Sequence, residues 1–334
     1  MSRSSLSLTA GRDYPRTWDQ FIDWFPDDAS CLEYLERIRW PDGFVCPRCG
    51  VAGEPYRASR HRLMCRTCRA QSSATAGTVF EKTRTPLRSW FAAVWYATNQ
   101  KHGVSALGLQ RVLGLGSYQT AWTMLHRLRR AMIRPGRERL SGIVEVDETY
   151  VGGRDVGSRK GRRAARSRPQ APPLESKKSI VVIAVEVLQP KGFGRVRLRR
   201  VPAASEAHVL PFVLDSIEAG STVRTDGSWA YRSLPDHGYV RDKTVLLGSG
   251  DPAHASMPGV HRIAALLKRW LLGTHQGSVQ PHQLDAYLDE FAFRFNRRSS
   301  GSRGLLFYRL LEQAVVTHPL TYRALAAKGS NPNI

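Results

Sequence analysis

The chain has 334 residues and a formal net charge of +22, with 50 lysines and arginines against 28 aspartates and glutamates. A hydrophobic fraction of 42% is ordinary for a globular protein and excludes disorder of the whole chain. No apolar run approaches the ~18 residues that a membrane helix needs, and the polar start lacks a signal-peptide core, so we expect a cytoplasmic protein. The length indicates two domains or slightly more at roughly 150 residues each. Such a charge surplus favours nucleic acid as the partner over an anionic membrane surface.

The first predicted element is a helical segment within residues 1–40. Apolar residues recur there at three- and four-residue steps, which is the pattern of amphipathic helices. Cys31 lies within this pattern and is interpreted as a small core residue. The recurring residues are Trp18, Phe21, Ile22, Trp24, Phe25, Cys31, Leu32, Leu35 and Ile38.

Residues 41–80 carry a predicted zinc ribbon. Two Cys-x-x-Cys pairs, Cys46 with Cys49 and Cys65 with Cys68, are separated by fifteen residues. This spacing is typical of a structural zinc site, because each two-residue gap turns both sulfurs toward one point. The alternative is a pair of disulfides, which is unusual in a cytosolic protein.

Residues 81–138 read as a helical domain with a helix-turn-helix outline. Thr85 and Pro86 precede a helical pattern, and Ser105 and Ser117 are positioned as N-caps of two more helices around a glycine-containing turn. The last helix carries polar and basic side chains suited to bases and phosphates in a major groove. The alternative is a three-helix bundle without a DNA-binding role. The candidate DNA-binding residues are Gln119, Thr120, Arg127, Arg129 and Arg130.

Residues 140–320 are predicted to form a mixed α/β domain. Short β-branched runs begin at Ile143, Ser179, Arg195 and Thr222, and helical patterns lie between and after them. A basic, proline-containing stretch over 152–178 is too polar to pack and predicts a mobile insertion, either a solvated linker or a nonspecific phosphate clamp. Residues 321–334 are interpreted as a tail.

Two aspartates are candidates for a catalytic cation site. Asp147 and Asp226 each end a predicted strand. Because neighbouring strands lie about 4.8 Å apart, carboxylates at their ends can jointly hold a hard divalent cation such as Mg²⁺. The alternative for a single strand-end aspartate is a turn residue.

Five sequence blocks carry a resemblance to a known family. The chain resembles DDE-type transposases of bacterial insertion sequences that have an N-terminal zinc ribbon and an RNase H-like catalytic domain. The resemblance implies two catalytic Mg²⁺ or Mn²⁺ ions held by two aspartates and a third residue, most often glutamate, and it matches Asp147 and Asp226 to the aspartates. The blocks are CPRCG with CRTCR, VEVDETYVGGR, TDGSWAY, VHRIAALLKRWLLGTHQG and HQLDAYLDEFAFRFNRR.

The third catalytic position departs from the commonest pattern of that family. His261 lies 35 residues after Asp226, and Lys268 follows seven residues later, on the same face of a helix. The resemblance extends to histidine at this position and implies that Lys268 contacts the terminal phosphates of the element. The alternatives are a helix cap or core residue for His261 and a solvated helix face for Lys268. Asp251 and Glu290 are the substitutes for His261.

Two further groups of residues have open interpretations. A basic helix end either lines a DNA channel or complements the C-terminal helix dipole. Trp229 and Tyr231, just after Asp226, either stack on an unpaired base or belong to the core. The residues of the helix end are Arg294, Asn296, Arg297 and Arg298.

The resemblance implies a transposase that binds the ends of its insertion sequence and carries out metal-dependent cleavage and strand transfer. Its partners would be element ends and target DNA. A homo-oligomer on DNA is expected because two ends must be brought together. The alternatives are a DNA-binding regulator with an inert sheet, and a simple nuclease, which would leave both DNA-reading modules without a role.

Overall fold

The computed structural model describes residues 8–152, 178–243, 257–277 and 279–327. The predicted insertion, apart from its two end residues, and Asp251 lie outside the described residues. The chain divides into two compact units, one formed by Met1–Arg134 with Ser299–Ile334 and the other by Pro135–Arg298. In the described residues no helix is both long and apolar enough to span a membrane.

The first unit consists of seven helices and a small sheet among the described residues. Local caps begin several of its helices: the hydroxyls of Ser105 and Ser117 accept the backbone N–H groups of Gly108 and Thr120, and Asp27 with Ser30 forms a capping box. The helices, numbered along the chain, are α1 (Trp18–Trp24), α2 (Asp28–Arg39), α3 (Leu87–Asn99), α4 (Ala106–Leu113), α5 (Tyr118–Ala131), α9 (Arg303–Ala314) and α10 (Tyr322–Ala326). The strands are β1 (Tyr56–Ala58), β2 (Arg62–Met64) and β3 (Gln71–Ser72), all antiparallel.

Aromatic side chains form the centre of the first unit. Phe307 on α9 is fully buried. Its ring centroid lies 5.6–6.4 Å from the centroids of five aromatic rings, which belong to α1, α2, α3 and the α1–α2 connection. Cys31 is also fully buried, as predicted. The surrounding rings are Phe21, Phe25, Tyr34, Phe91 and Trp95.

The domain limits predicted from the sequence differ from this division. The predicted segments 1–40, 41–80 and 81–138 belong to one compact unit almost entirely, and α9 joins them although the sequence assigned residues up to 320 to the α/β domain. The reason is that α9 packs against α3 and inserts Phe307 into the aromatic cluster. Helical periodicity shows which face of a helix is apolar, but it does not show which core that face joins.

The second unit contains the predicted mixed sheet. Its five strands lie in the order β6-β5-β4-β7-β8. Strand β5 runs antiparallel to both β4 and β6, whereas β7 and β8 run parallel to β4. Helix α6 (Glu206–Ser216) packs on one face, and α7 (Pro258–His275) and α8 (Leu284–Phe295) pack on the other. The strands are β4 (Ile143–Val151), β5 (Ser179–Val187), β6 (Phe193–Val201), β7 (Thr222–Thr225) and β8 (Val240–Lys243).

Strand β4 is central and has two different faces. Val144 and Val146 pack with α6 in one core cluster, while Val151 packs with α7 and α8 in the other. Because side chains alternate along a strand, Glu145 and Asp147 point toward the α7 face. The sheet therefore brings polar side chains of β4 beneath the helix that carries His261.

Candidate active site and zinc centre

Asp147 and Asp226 occupy matching positions on two adjacent parallel strands. The ladder between β4 and β7 pairs Ile143 with Thr222 and Glu145 with Arg224. Continuing this register by two residues places Asp147 opposite Asp226, which follows directly after β7. The two carboxylates are half-buried, and their charges interact. The prediction that Asp147 ends its strand is wrong, because β4 continues to Val151 through its pairing with β5.

Both aspartates are held by local hydrogen bonds through one carboxylate oxygen. Oδ1 of Asp147 accepts the backbone N–H of Glu148 at 2.8 Å, and Oδ1 of Asp226 accepts that of Ser228 at 2.9 Å. Burial raises the pKa of Asp147 above its ordinary value, and the negative charge of Asp226 raises it further. A cation between the two carboxylates would remove this penalty, so the pair fits a divalent metal.

His261 lies in the first turns of α7 and interacts electrostatically with Asp147 and Glu145. Its Nε2 atom is buried and has no hydrogen-bond partner among the described residues. A buried ring nitrogen without a partner carries a desolvation cost that a metal bond would offset. His261 therefore fits the third ligand position better than it fits a helix cap, since its own side chain caps no backbone group in the described structure.

Lys268 and Glu290 are placed differently. Lys268 is exposed on α7 and lines a 530 Å³ cavity with Leu271 and Pro281, and none of the three candidate ligands lines that cavity. Glu290 is 2% exposed on α8, which packs on β6, two strands away from β4. Asp147 interacts electrostatically with both Asp226 and His261. Among the described residues the four cysteines are the one close group of metal-ligating side chains, so a joint role of Asp147, Asp226 and His261 as ligands stays a prediction.

The backbone of the loop after Asp226 is hydrogen-bonded to β8, and one ring of the loop is exposed. Arg241 on β8 donates to the backbone oxygens of Asp226 and Ser228 at 3.3 and 3.0 Å. Tyr231 is fully buried and donates to Glu148 at 2.7 Å, so it is a core residue. Trp229 is 78% exposed and is therefore the ring of the two that a base could reach.

The basic residues predicted on α5 serve the first unit itself. The Arg127 guanidinium donates to the backbone oxygens of Leu320 and Val79 at 2.8 and 3.1 Å, and Arg130 donates to that of His318 at 3.1 Å. Arg129 is 2% exposed, so its predicted DNA contact is wrong: a buried guanidinium offers no surface to a phosphate.

Two residues of the predicted set remain at the surface of α5. Gln119 is exposed and Thr120 is half-exposed in the first turn after the Ser117 cap. Helices α4 and α5 and the Gly114 turn form as predicted, with Gly114 in the left-handed region at φ 60°. Their use as a DNA-binding helix-turn-helix stays a prediction.

The basic end of α8 also makes structural contacts. The Asn296 side chain accepts the backbone N–H of Val196 at 2.7 Å and donates to its oxygen at 3.2 Å. The Arg297 guanidinium lies 4.1 Å from the ring centroid of Phe293, and Arg298 donates to the backbone oxygens of Phe193 and Gly194. Arg294 is half-exposed and has a partner within the chain. Asn296 and Arg298 anchor the helix end to β6, and a DNA-channel role for the four residues stays a prediction.

The four ribbon cysteines form a site of the dimensions that zinc requires. Their sulfur atoms all lie within 4.8 Å of one another, with 3.6 Å between Cys46 and Cys68 and 3.7 Å between Cys49 and Cys65. Zn–S bonds of about 2.3 Å in a tetrahedron require sulfurs about 3.8 Å apart. Backbone N–H groups of the knuckles lower the pKa of Cys46 and Cys65, which favours their thiolates. Burial and the neighbouring cysteine sulfurs raise the pKa of Cys49 to about 12, a penalty that a zinc ion among the four sulfurs would offset.

Comparison with known proteins finds matches to the α/β unit and to the zinc ribbon. Residues 139–296 match the family model of an ISXO2-like transposase domain, and residues 26–71 match that of a transposase zinc-ribbon domain. A protein of Halobacterium salinarum described as an uncharacterized protein in transposable element ISH50 is 30% identical over 285 residues, which cover 82% of this chain and 92% of that protein. The chain belongs to the ISXO2-like transposase family.

One structural comparison adds no argument. The cryo-EM structure of a simian T-cell lymphotropic virus intasome in complex with PP2A regulatory subunit B56 gamma aligns at 15% identity over 55% of this chain and 63% of that chain. Its TM-score is 0.28, which is too low to compare folds. The transposase family assignment rests on the two family models and the transposable-element relative.

Sequence reasoning missed three polar residues that surround the candidate site. Glu145 is fully buried beneath α7, Arg224 joins it from β7, and Arg241 fixes the loop after Asp226. A signal for Glu145 was present: it stands two residues before Asp147 in the same strand, between Val144 and Val146, so it shares a face with the aspartate. Arg224 and Arg241 gave no signal, since arginine in a basic chain is usually solvated.

Proposed function

We propose that the chain is a DNA transposase that binds the ends of its insertion sequence and catalyses metal-dependent strand cleavage and strand transfer. The observation that carries this proposal is the parallel register of β4 and β7, which ends two residues before Asp147 and Asp226, together with the buried, unpartnered Nε2 of His261 on α7. The mixed five-stranded order β6-β5-β4-β7-β8, with helices on both faces, supports an RNase H-like catalytic domain.

Asp147, Asp226 and His261 would hold two Mg²⁺ or Mn²⁺ ions. Bound there, such ions activate a water or 3′-hydroxyl and stabilise the leaving oxygen of a phosphodiester. The chain keeps one carboxylate oxygen of each aspartate fixed to backbone, which orients the carboxylates. The imidazole nitrogen of His261 favours Mn²⁺ more than a third carboxylate would.

The proposed substrate is DNA, and charge supports it. A net charge of +22 suits a partner with a dense row of phosphates. The surface positions of Gln119 and Thr120 at the start of α5 suit contacts to base edges. Because element ends must be joined in pairs, we propose a homo-oligomer on DNA.

Trp229 is proposed to stack on a base near the reacting phosphodiester. It is 78% exposed, while the backbone on its N-terminal side is fixed by Arg241. Base–ring stacking contributes about 1–3 kcal/mol by alanine substitution. Trp229→Ala should therefore weaken binding to a pre-cut element end by about tenfold, and Trp229→Phe should retain most affinity. Equal affinity of all three proteins, measured by fluorescence anisotropy, would contradict the stacking role.

The function is tested by strand transfer with labelled DNA carrying the ends of the insertion sequence. Wild type with Mg²⁺ or Mn²⁺ should cut and join the ends, and Asp147→Ala should do neither. Asp215→Ala is the matched control: Asp215 is 61% exposed and pairs with Arg199 on the surface, so this variant should react as wild type does. Cleavage without joining would indicate a nuclease, and tight binding without cleavage a regulator.

A further inference from the structure

Glu145 is a fully buried carboxylate at the centre of the second unit. It lies on the same face of β4 as Asp147, and its Oε2 accepts two backbone N–H groups of α7, from Gly259 at 2.7 Å and from Val260 at 3.1 Å. These two residues directly precede His261. A residue 114 positions earlier in the chain therefore holds the turn that carries the third candidate ligand.

Helix α7 depends on this contact because it has no local cap. The first N–H groups of any helix lack intrahelical partners, and Met257 at the N-cap position makes no side-chain hydrogen bond. Pro258 at the first position has no N–H to satisfy. The Glu145 carboxylate takes the next two N–H groups and also faces the positive end of the helix dipole.

Gly259 allows this close approach. A Cβ atom at this position would lie 2.7 Å from Oε2 of Glu145 and 2.9 Å from side-chain atoms of Val185 and Phe193. Such distances require the helix or the strand to move, since carbon atoms do not pack that closely. The start of α7 thus packs directly on β4 at Gly259 and is held there by the two hydrogen bonds to Glu145.

Glu145 also faces the strand that leads to Asp226. It is the register partner of Arg224 on β7, whose guanidinium lies 3.8 Å from Oε1 of Glu145. Arg224 in turn donates to Asp242 on β8 at 2.9 Å. The Glu145 side chain therefore connects the three elements that carry the candidate ligands. Glu145 itself stands two residues before Asp147, its partner Arg224 stands two residues before Asp226, and its partner Val260 directly precedes His261.

We propose that Glu145 is a positioning residue that sets the distance of His261 from Asp147 and Asp226, so that the three can bind a divalent cation together. This inference rests on the proposed function, because it assumes that these three residues are the cation ligands. Residues that orient metal ligands typically change metal affinity by about 10- to 100-fold when they are removed. Glu145→Ala should show a loss of that size, and Glu145→Gln, which keeps an acceptor oxygen, should lose less than about tenfold.

The test measures Mn²⁺ affinity of the zinc-loaded full chain by electron paramagnetic resonance, at a temperature where each variant is folded by circular dichroism. Amide exchange at Gly259 and Val260 should accelerate in Glu145→Ala, because their acceptor is gone. Glu186→Ala is the matched control: Glu186 is 8% exposed on β5 and also accepts backbone N–H groups, but it contacts Ser141 and Arg195 rather than α7. It should lower stability and leave Mn²⁺ affinity unchanged.

Gly259→Ala provides a second variant that keeps the carboxylate. It should weaken Mn²⁺ binding by moving the helix start, so it tests the geometry even if Glu145→Ala fails to fold. Wild-type Mn²⁺ affinity in the folded Glu145→Ala and Gly259→Ala proteins would overturn the proposal, as would an equal loss in Glu186→Ala. If Asp147→Ala also binds Mn²⁺ as wild type does, the proposed cation site itself fails; if only Asp147→Ala loses binding, the positioning role alone fails.

Discussion

The pKa values of individual carboxyl groups in the central sheet are shifted in opposite directions, because their hydrogen-bond partners differ. Burial raises the pKa of Asp147 and of Glu148, and their hydrogen bonds only partly offset it. Burial acts in the same direction on Glu186, but the bonds from Arg195 outweigh it and the pKa is lowered. Asp147 therefore carries a charge that favours a cation, whereas Glu186 carries one that the fold already neutralises.

The His261 substitutions should separate catalysis from stability. His261→Ala should abolish cleavage and joining, while the free energy of unfolding changes by less than about 1 kcal/mol, because the buried Nε2 loses no hydrogen bond. His261→Glu should retain measurable activity and prefer Mg²⁺, since it restores an oxygen ligand. Strand-transfer assays measure the activity, and urea unfolding measures the free energy of unfolding.

His208 supplies the control for His261. It lies on α6 and its Nδ1 is 2.9 Å from the Ser205 hydroxyl, away from the aspartates' face of the sheet. His208→Ala should react as wild type does. Normal strand transfer by a folded His261→Ala protein would refute the ligand role.

Glu186 should make the second unit less stable in acid. Because its pKa is lowered from the ordinary 4.5 in the folded state, it stabilises the fold above pH 4.5, and this contribution is lost as pH falls through the lowered pKa. Glu186→Gln should cost about 1–3 kcal/mol at pH 7 and should weaken the acid dependence of stability. Urea unfolding of both proteins between pH 7 and pH 3 measures this; parallel curves would contradict it.

Among the elements, α5 shows that arginine on a helix has two uses that sequence does not distinguish. Its caps and apolar face were predictable from Ser117 and from the helical period. Arg127 and Arg130 instead fix chain segments near residues 79 and 318–320, which are distant in sequence. A guanidinium donates hydrogen bonds to a phosphate or to several backbone oxygens equally well, so the partner of an arginine is known only from the folded structure.

The zinc ribbon should depend on its metal. Its strands contain two or three residues each, and its buried core includes only Phe44 and Leu63 besides two cysteines. We expect one zinc per chain, lost in Cys65→Ala and retained in Cys31→Ala, because Cys31 is a core residue of α2. Metal analysis of the folded proteins measures this. Metal-free wild type with an intact ribbon would contradict the prediction.

The sequence predicted those features that depend on local pattern. The four cysteines, the α4 and α5 caps and the strands that carry the two aspartates all follow from residues near one another in the chain. The support of the site could not be predicted in this way, because Glu145 meets Gly259 across 114 residues. The placement of α9 is a similar case, since its partners lie more than 200 residues earlier.

At the scale of the whole molecule, one unit is continuous in sequence and the other is not. Pro135–Arg298 forms its two core clusters from residues within that range. Met1–Arg134 obtains Phe307 from a helix at the far end of the chain. The two units should therefore differ in their ability to fold alone.

Fragments test this difference. The fragment 135–298 should unfold cooperatively in urea, and the fragment 1–134 should not, because it lacks α9. Phe307→Ala in the full chain, which creates a cavity in the aromatic cluster, should cost about 3–5 kcal/mol. A cooperative transition in the isolated fragment 1–134 would contradict this account.

The discontinuous unit has a consequence for synthesis on the ribosome. Residues 135–298 emerge before α9, so the continuous unit is able to finish folding while the rings around Phe91 still lack Phe307. The aromatic cluster stays incomplete until α9 has left the exit tunnel, and its apolar rings lack their partner during that interval. A gene copy that is truncated between codons 298 and 303 should therefore yield a protein with an intact α/β unit and a zinc-ribbon unit that lacks α9.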